Sequence, residues 1–248
     1  FQGTPDIEKI QRYTQMTGAG LAIQEKYIED AKQLQKFYSY LHQHGYLNKT
    51  ALGVQRMLQR AVQEELLTCN ASGSELWQMN DRQLLSWLEN ARSELSRVFL
   101  RRLESRAIHR TFLALKPAGY GFVERTTGKE LVVQEWSRAE LSKFSHCYQD
   151  ISRLRALEDE LAAGCGMQPG DILFAAMPYF TKLIPQDLRV STGTAERDYW
   201  LLEQDKDHLR SLESDYLRTF AVRLLVIPEK RAALAAQAGT VSAILKAK

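Results

Sequence analysis

Apolar residues recur with helical spacing in the N-terminal part of the chain. From Tyr27 they fall at i, i+4, i+7, i+11 and i+14, which predicts a helix from about Ile23 to Leu41 with one apolar side. A second helix is predicted from about Lys49 to Leu67, and His44-Gly45 separates the two. The apolar side of the second helix would consist of Val54, Leu58, Ala61 and Glu65 or Leu66. The two segments therefore predict a pair of helices.

Two capping motifs predict where further helices begin. Asn80, followed three positions later by Gln83, resembles a capping box, and Ser137 with Glu140 forms another. Apolar residues at helical spacing continue from the second motif as far as Leu161. This spacing predicts one long helix there.

Strands are predicted after residue 112, where glycine and proline interrupt the chain. Two β-prone pieces, Tyr120 to Val123 and Glu130 to Trp136, flank a predicted hairpin around Thr127-Gly128. Three short apolar runs are predicted to be strands of one small sheet, at residues 171–177, 199–202 and 220–227. Pro228 then signals the start of a terminal helix.

Together these elements predict a mainly α-helical protein with a small antiparallel sheet, in the α+β class. Residues 1–112 are predicted to form a helical lobe. Residues 113–248 are predicted to form a smaller α+β lobe that ends in a helix.

Composition narrows the classes of function. The 248 residues are 44% hydrophobic, enough to bury a core, and the net charge of +3 comes from 33 basic and 30 acidic residues mixed along the chain. No membrane association and no specific nucleic-acid binding are therefore predicted, and no apolar run approaches the roughly 20 residues of a membrane span. Cys69, Cys147 and Cys165 lack CxxC spacing, which favours a cytoplasmic protein.

Aromatic and basic side chains crowd the break between the first two helices. The group consists of Tyr38, Tyr40, His42, His44, Tyr46 and Lys49. Such a mixture suits a phosphate ester or a nucleotide, because it offers donors to oxygens and an aromatic face to a ring. The alternative is a helix junction in which the tyrosines pack and the histidines are solvated. No HD dipeptide, HExxH motif or paired cysteine spacing is present, so neither a metal site nor a catalytic residue is predicted in the chain.

Several short segments, taken in order, resemble a known family. The central one is Tyr46-Leu47-Asn48-Lys49-Thr50 followed by Met57-Leu58, which is similar to a VYLHKT…ML segment. The others are Pro5 to Ile10, Met79 to Asp81 with Leu84-Leu85, Arg106 to Phe112, Asp171 to Phe174 and Phe220 to Val226. In this order they resemble the HD-superfamily deoxynucleoside triphosphate triphosphohydrolases, in the region C-terminal to the HD metal-binding motifs.

The resemblance implies substrate-binding roles for three residues. In the family, the helix before the VYLHK segment and that segment itself contact the substrate's sugar and phosphates. Tyr46 holds the matching tyrosine position, His42 lies one turn before it, and Lys49 is retained. Two positions depart from the pattern, since Tyr38 stands where a phosphate-contacting arginine is expected and Asn48 where relatives often have histidine. Tyrosine does not replace the bidentate donor that arginine supplies.

The resemblance also implies that the metal ligands lie outside this sequence. The family holds its metal with one histidine, an adjacent His-Asp pair and a later aspartate, all of which would precede Phe1. A divalent metal is therefore expected in the full-length parent only, and the chain alone is expected to lack hydrolase activity. Phe1-Gln2-Gly3 is either the end of a cleaved tag or a native junction, and the chain is expected to be a fragment.

Three functions follow as alternatives. The first is the C-terminal portion of a metal-dependent HD-type phosphohydrolase acting on nucleotides, with dNTPs as the expected substrates and a homo-oligomer as the expected assembly. The second is a non-catalytic helical module for oligomerisation or nucleotide sensing. The third is an unrelated helical interaction protein. The family resemblance requires that the runs at residues 171–177 and 220–227 be strands of one sheet.

Overall fold

The computed structural model describes residues 6–18, 20–46, 48–69, 72–124, 130–146, 150–176, 185–193 and 197–247, without the side chains of residues 46, 145 and 146. The α-helices in this part of the chain are α1 (Ile7–Tyr13), α2 (Ile28–Leu41), α3 (Lys49–Cys69), α4 (Gly73–Leu76), α5 (Asp81–Glu89), α6 (Glu94–Glu104), α7 (Arg138–His146), α8 (Ile151–Gly164), α9 (Leu201–Gln204), α10 (Lys206–Thr219), α11 (Arg231–Ala236) and α12 (Ala238–Lys246). The strands are β1 (Thr14–Thr17), β2 (Gly20–Gln24), β3 (Arg110–Pro117), β4 (Val132–Trp136), β5 (Ile172–Ala176), β6 (Arg189–Ser191), β7 (Tyr199–Trp200) and β8 (Val222–Val226).

The α+β class predicted from the sequence is confirmed, with more sheet than expected. The described strands form two four-stranded sheets, in the orders β1-β2-β6-β7 and β4-β3-β8-β5. Each sheet is mixed, because β2 pairs with β6 and β3 with β4 in parallel, whereas the remaining pairs are antiparallel. The run at residues 199–202 contributes β7 to the first sheet and not to the sheet that contains β5 and β8.

The chain divides into two compact units. The first unit comprises Phe1–Leu47 and Tyr179–Phe220, and the second comprises Asn48–Pro178 and Ala221–Lys248. This division does not follow the predicted boundary after residue 112, because β3 runs across that boundary and pairs with β8, more than 100 residues later. Each unit is therefore built from two separate stretches of sequence.

The first unit buries a different side of α2 from the one that the sequence predicted. Its core contains Ile23, Ala31, Val190 and Leu201. On α2 the buried residues are Ala31, Gln35 and Ser39, whereas Tyr38 and Leu41 are exposed. The helix begins at Ile28, later than predicted, because β2 occupies residues 20–24. Gln35 compensates for its burial through hydrogen bonds of its amide to the Gln186 carbonyl and the His208 ring.

The second unit is centred on the sheet that contains β3, β8 and β5. All five residues of β5 and all five of β8 are buried, and the two strands pair antiparallel, with Phe174 opposite Leu224. This is the pairing that the family resemblance required. Phe144 of α7 packs against Phe174, with ring centroids 5.5 Å apart.

Capping motifs were predicted accurately, whereas the extent of one helix was not. Asn80 and Gln83 form a complete capping box at α5, and Ser137 and Glu140 exchange the same bonds at α7. The predicted helix through Leu161 is interrupted, because α7 ends at residue 146 and α8 starts at residue 151. Residues 121–123 form a 3-10 turn where a strand was predicted, and the predicted hairpin around residues 127 and 128 lies outside the described residues.

Charged residues line the buried side of α3, where the sequence predicted an apolar stripe. Arg56 makes two 2.7 Å hydrogen bonds to the Glu158 carboxylate of α8, and Arg60 makes a third. Arg60 also bonds Glu64 and Asp159, and Arg155 bonds Glu64. These six residues, Arg56, Arg60, Glu64, Arg155, Glu158 and Asp159, are called the α3–α8 ion network below.

Candidate functional site

The helix that carries His42 ends in an irregular turn. Residues His42–Tyr46 follow α2 as a short π-helix, a rare conformation that occurs frequently at functional sites. Rings four residues apart contact each other at this junction in a tilted arrangement, with centroids 4.3 Å apart for Tyr38 and His42 and 4.4 Å apart for Tyr40 and His44. The described part of this segment thus presents two tyrosine–histidine pairs on one helix end.

The structure places the three predicted substrate-binding residues in two units. His42 is half-buried against Tyr38 in the first unit. Tyr46 belongs to the same π-helix, and its side chain lies outside the described residues. Lys49 opens α3 in the second unit and is exposed. That the three side chains converge on one substrate stays a prediction.

Asn48 has a structural role that explains one departure from the family pattern. Its side-chain oxygen accepts hydrogen bonds from the backbone N–H groups of Thr50 and Ala51, at 3.0 and 2.9 Å. Asparagine is among the best residues for this position, because it satisfies donors that the first turn of a helix leaves open. Asn48 therefore caps α3 and fixes the start of the helix directly before Lys49.

A cavity of about 170 Å³ lies beside the start of α3 in the second unit. Four segments meet there: the first turn of α3, residues 108–111 at the start of β3, the residue before β4 and the first residue of α11. The lining residues are Lys49, Thr50, Ile108, His109, Arg110, Thr111, Leu131 and Arg231. This lining, called the cation cavity below, combines three basic side chains with two threonines.

The three basic side chains of the cation cavity differ in how they are held. Arg231 donates from Nε to the Thr111 carbonyl at 2.9 Å and from Nη1 to the Glu130 carboxylate at 2.9 Å. Lys49 and Arg110 are exposed, and neither makes an ion pair within the described part of the chain. The cavity therefore has one fixed guanidinium and two cations that can turn toward an anion.

His109 closes the floor of the cation cavity as a neutral ring. It is 3% exposed, and its Nε2 lies 2.9 Å from the Gly170 carbonyl, which can only accept a hydrogen bond. Burial lowers the pKa of His109 to about 4, although the Gly170 carbonyl favours the charged form. Nδ1 is then the acceptor nitrogen, and no described residue donates to it. A neutral imidazole adds no charge to the three cations.

A metal site is not found among the described residues. No group of three or more His, Cys, Asp or Glu side chains in that part of the chain is placed to hold a metal ion. No helix there is long and apolar enough to cross a membrane.

Sequence reasoning found Lys49 and missed its two neighbours. Arg110 lies inside the segment Arg106 to Phe112, which matched the family only as a turn, and Arg231 follows the predicted helix start at Pro228. Nothing in the spacing indicated that residues 49, 110 and 231 meet, because the pairing of β3 with β8 brings residues 110 and 231 together and the packing of α3 beside β3 adds residue 49.

Comparison with known proteins finds a likeness of fold. No protein-family model and no curated protein matches the chain. Among solved structures, a phosphohydrolase from Bacteroides thetaiotaomicron VPI-5482 is similar, with a TM-score of 0.51 at 13% sequence identity. The match covers 92% of this chain and 56% of that chain, so this chain spans little more than half of its length. The second unit and the first unit together thus contain the elements of a phosphohydrolase-like fold.

Proposed function

We propose that the chain is the C-terminal portion of a metal-dependent HD-type phosphohydrolase that acts on nucleotides, with dNTPs as the substrate class. The cation cavity carries this proposal, because Lys49, which the resemblance marks as substrate-binding, lies there with Arg110 and Arg231. Guanidinium and ammonium groups are the preferred partners of phosphoryl oxygens. The fold likeness to a phosphohydrolase supports the class of reaction.

Each basic residue has a distinct part in this proposal. Lys49 and Arg110 turn toward the phosphates and neutralise them, and Arg231 offers an orientation already fixed by Thr111 and Glu130. Substrate-binding roles for His42 and Tyr46 are proposed on the resemblance alone. The divalent metal is proposed to bind in the full-length parent, outside this chain, where it would supply Lewis-acid chemistry.

Hydrolysis of dNTPs by the full-length parent, with Mg²⁺ or Mn²⁺ added, tests the proposal. Lys49→Met and Arg110→Met are each expected to raise KM about tenfold, since a hydrogen bond to a charged group contributes about 1.5 kcal/mol or more. Arg92→Met is the matched control, because Arg92 is exposed and lies outside the cavity lining. If the parent neither binds nor hydrolyses any dNTP, the proposal is wrong.

A second candidate is a nucleotide-sensing module without catalysis. The observation that favours it is local: Asn48 serves as a helix cap and the Tyr38 ring contacts His42, so neither departure from the family pattern preserves a phosphate contact. In the same experiment, dNTP binding that depends on Lys49 and Arg110 but yields no product would select the sensing module.

A further inference from the structure

The cation cavity is too small to enclose a nucleotide. Its volume is about 170 Å³, whereas sites that enclose a drug-sized molecule measure roughly 300–1,000 Å³. The space suits a group of a few heavy atoms, such as a phosphoryl group. The sugar and the base of a nucleotide would therefore lie outside the cavity.

The lining of the cation cavity favours negative charge at more than one point. Its basic side chains are Lys49, Arg110 and Arg231, and the described lining contains no acidic residue. The cavity also lies at the first turn of α3, where the helix dipole favours an anion. Lys49 acts on Glu124 as well, but the Glu124 carboxylate is bonded to Arg223.

Glu130 lies at the edge of this lining and already binds one of its cations. It precedes Leu131 of the lining, and its carboxylate accepts a 2.9 Å hydrogen bond from Nη1 of Arg231. The Glu130 side chain is 52% exposed, and exposed ion pairs contribute little to stability. Nε of Arg231 is held by the Thr111 carbonyl, whereas Nη2 donates to no described residue. Glu130 therefore holds weakly one of the two Nη atoms that an oxyanion could bond together.

We propose that the cation cavity receives only the phosphate end of a phosphorylated ligand, and that a phosphoryl group takes the place of Glu130 on Arg231. The site is the one described under the proposed function, so the inference rests on that function. A phosphoryl group can bond Nη1 and Nη2 together while the Thr111 carbonyl keeps Nε in place. A ligand carboxylate would gain little over Glu130, which makes the cavity selective for phosphate.

The base and the sugar are then not recognised by the cation cavity. Its contribution to binding is the same for dATP, ATP and inorganic triphosphate, because all three present a phosphate end. Any preference for deoxynucleotides comes from other parts of the molecule.

Calorimetric titration of inorganic triphosphate, dATP and ATP into the chain, in metal-free buffer at constant ionic strength, tests this assignment. Arg110→Met is expected to weaken the binding of all three ligands by the same factor, about tenfold. Arg92→Met, at an exposed position outside the lining, is expected to leave each Kd unchanged.

Glu130→Gln tests the competition directly. It is expected to tighten the binding of all three ligands about threefold, because the phosphoryl group no longer displaces a carboxylate from Arg231. Glu89→Gln is the matched control, since Glu89 is exposed, lies outside the lining and changes the net charge equally. Circular dichroism establishes that each variant is folded.

Three results would overturn the assignment. If triphosphate does not bind, or binds equally after Arg110→Met, the cavity does not receive phosphate. If Arg110→Met weakens dATP more than triphosphate, the cavity recognises more than the phosphate end. If Glu130→Gln has no larger effect than Glu89→Gln, Glu130 does not compete with the ligand.

Failure of the proposed function gives a different result. Binding is measured on the chain alone, whereas dNTP hydrolysis is measured on the full-length parent. If the parent does not hydrolyse dNTPs and triphosphate still binds as expected, catalysis is refuted and the phosphate site stands.

Discussion

Two groups of buried charges lie in the second unit, and they differ in how their hydrogen bonds are satisfied. The α3–α8 ion network has three arginines and three carboxylates, and Glu158 alone accepts bonds from Arg56, Arg60 and the Phe174 backbone N–H. The second group consists of Lys116 on β3, Arg223 on β8 and Glu124, whose carboxylate bonds to Arg223 Nη2. In the first group each charged side chain bonds to at least one opposite charge, whereas in the second group Nε and Nη1 of Arg223 have no hydrogen-bond partner among the described residues.

The difference concerns how each charge is compensated inside the protein. Burial opposes the charge on Arg60, but Glu158, Asp159 and Glu64 together raise the pKa of its guanidinium. A balanced network of this kind holds α3 against α8, and removing one member strands the rest. At Lys116 burial prevails and the pKa of the ammonium falls to about 8, although Glu124 favours the charged form. Stability measurements therefore distinguish the two groups.

The largest effect is expected from breaking the balanced network. Glu158→Ala removes the carboxylate that Arg56 and Arg60 share. Because all three side chains are buried, the two guanidinium groups lose this partner away from water. The free energy of unfolding is expected to fall by about 3–5 kcal/mol, measured by urea denaturation. The control is Glu94→Ala, whose ion pairs with Arg97 and Arg101 are exposed, and its expected loss is much smaller because water screens exposed ion pairs. Equal losses in the two variants would contradict the structural role of the network.

A smaller loss of stability is expected at acid pH, where protonation of the buried His109 adds a positive charge inside the second unit. The pKa of His109 is about 4 in the folded chain and about 6.5 in the unfolded one, so the unfolded state binds the proton first as the pH falls. The contribution of the neutral His109 ring to the free energy of unfolding is therefore fully present above pH 6.5. Between pH 6.5 and 4 this contribution is lost, by up to about 3 kcal/mol.

His109→Gln isolates this contribution in denaturation curves recorded from pH 4 to 7. The variant loses some stability at pH 7, and its dependence on pH is expected to be shallower than that of the wild type. His208, whose pKa burial also lowers, remains in both proteins and cancels in the difference. Identical slopes would show that His109 is not buried as a neutral ring.

Local signals in the sequence predicted the starts of α5 and α7 and the strands β4, β5 and β8 of the sheet in the second unit, but not β3. The capping boxes at Asn80 and Ser137 form because they need only a few adjacent residues, and β5 and β8 are apolar runs that are buried on both faces. The ion network was not predicted, because Arg56, Arg60 and Glu64 have the spacing of a solvated helix face. Their partners lie about 100 positions away on α8.

The candidate site shows the same limit. Lys49 was predicted from a resemblance that covers a short segment, whereas Arg110 and Arg231 join it only through the pairing of β3 and β8 and the packing of α3 beside β3. Arg223 lies inside an apolar strand and reads as an isolated charge, so its unused donors become visible only with the structure. Side chains that meet through distant strand pairing leave no local pattern in one sequence.

The smallest expected effect has the opposite sign and would separate the two charge groups most sharply. Lys116→Met removes an ammonium whose pKa burial lowers to about 8, and at pH 7 it is expected to raise the free energy of unfolding by about 1 kcal/mol. The wild type should gain stability as the pH rises from about 8 toward 10.5, because its Lys116 pKa of about 8 lies below that of the unfolded chain. The variant should lack this gain. A loss of about 3 kcal/mol on Lys116→Met, comparable to Glu158→Ala, would mean that the interactions of Lys116 outweigh its burial as they do for the members of the ion network.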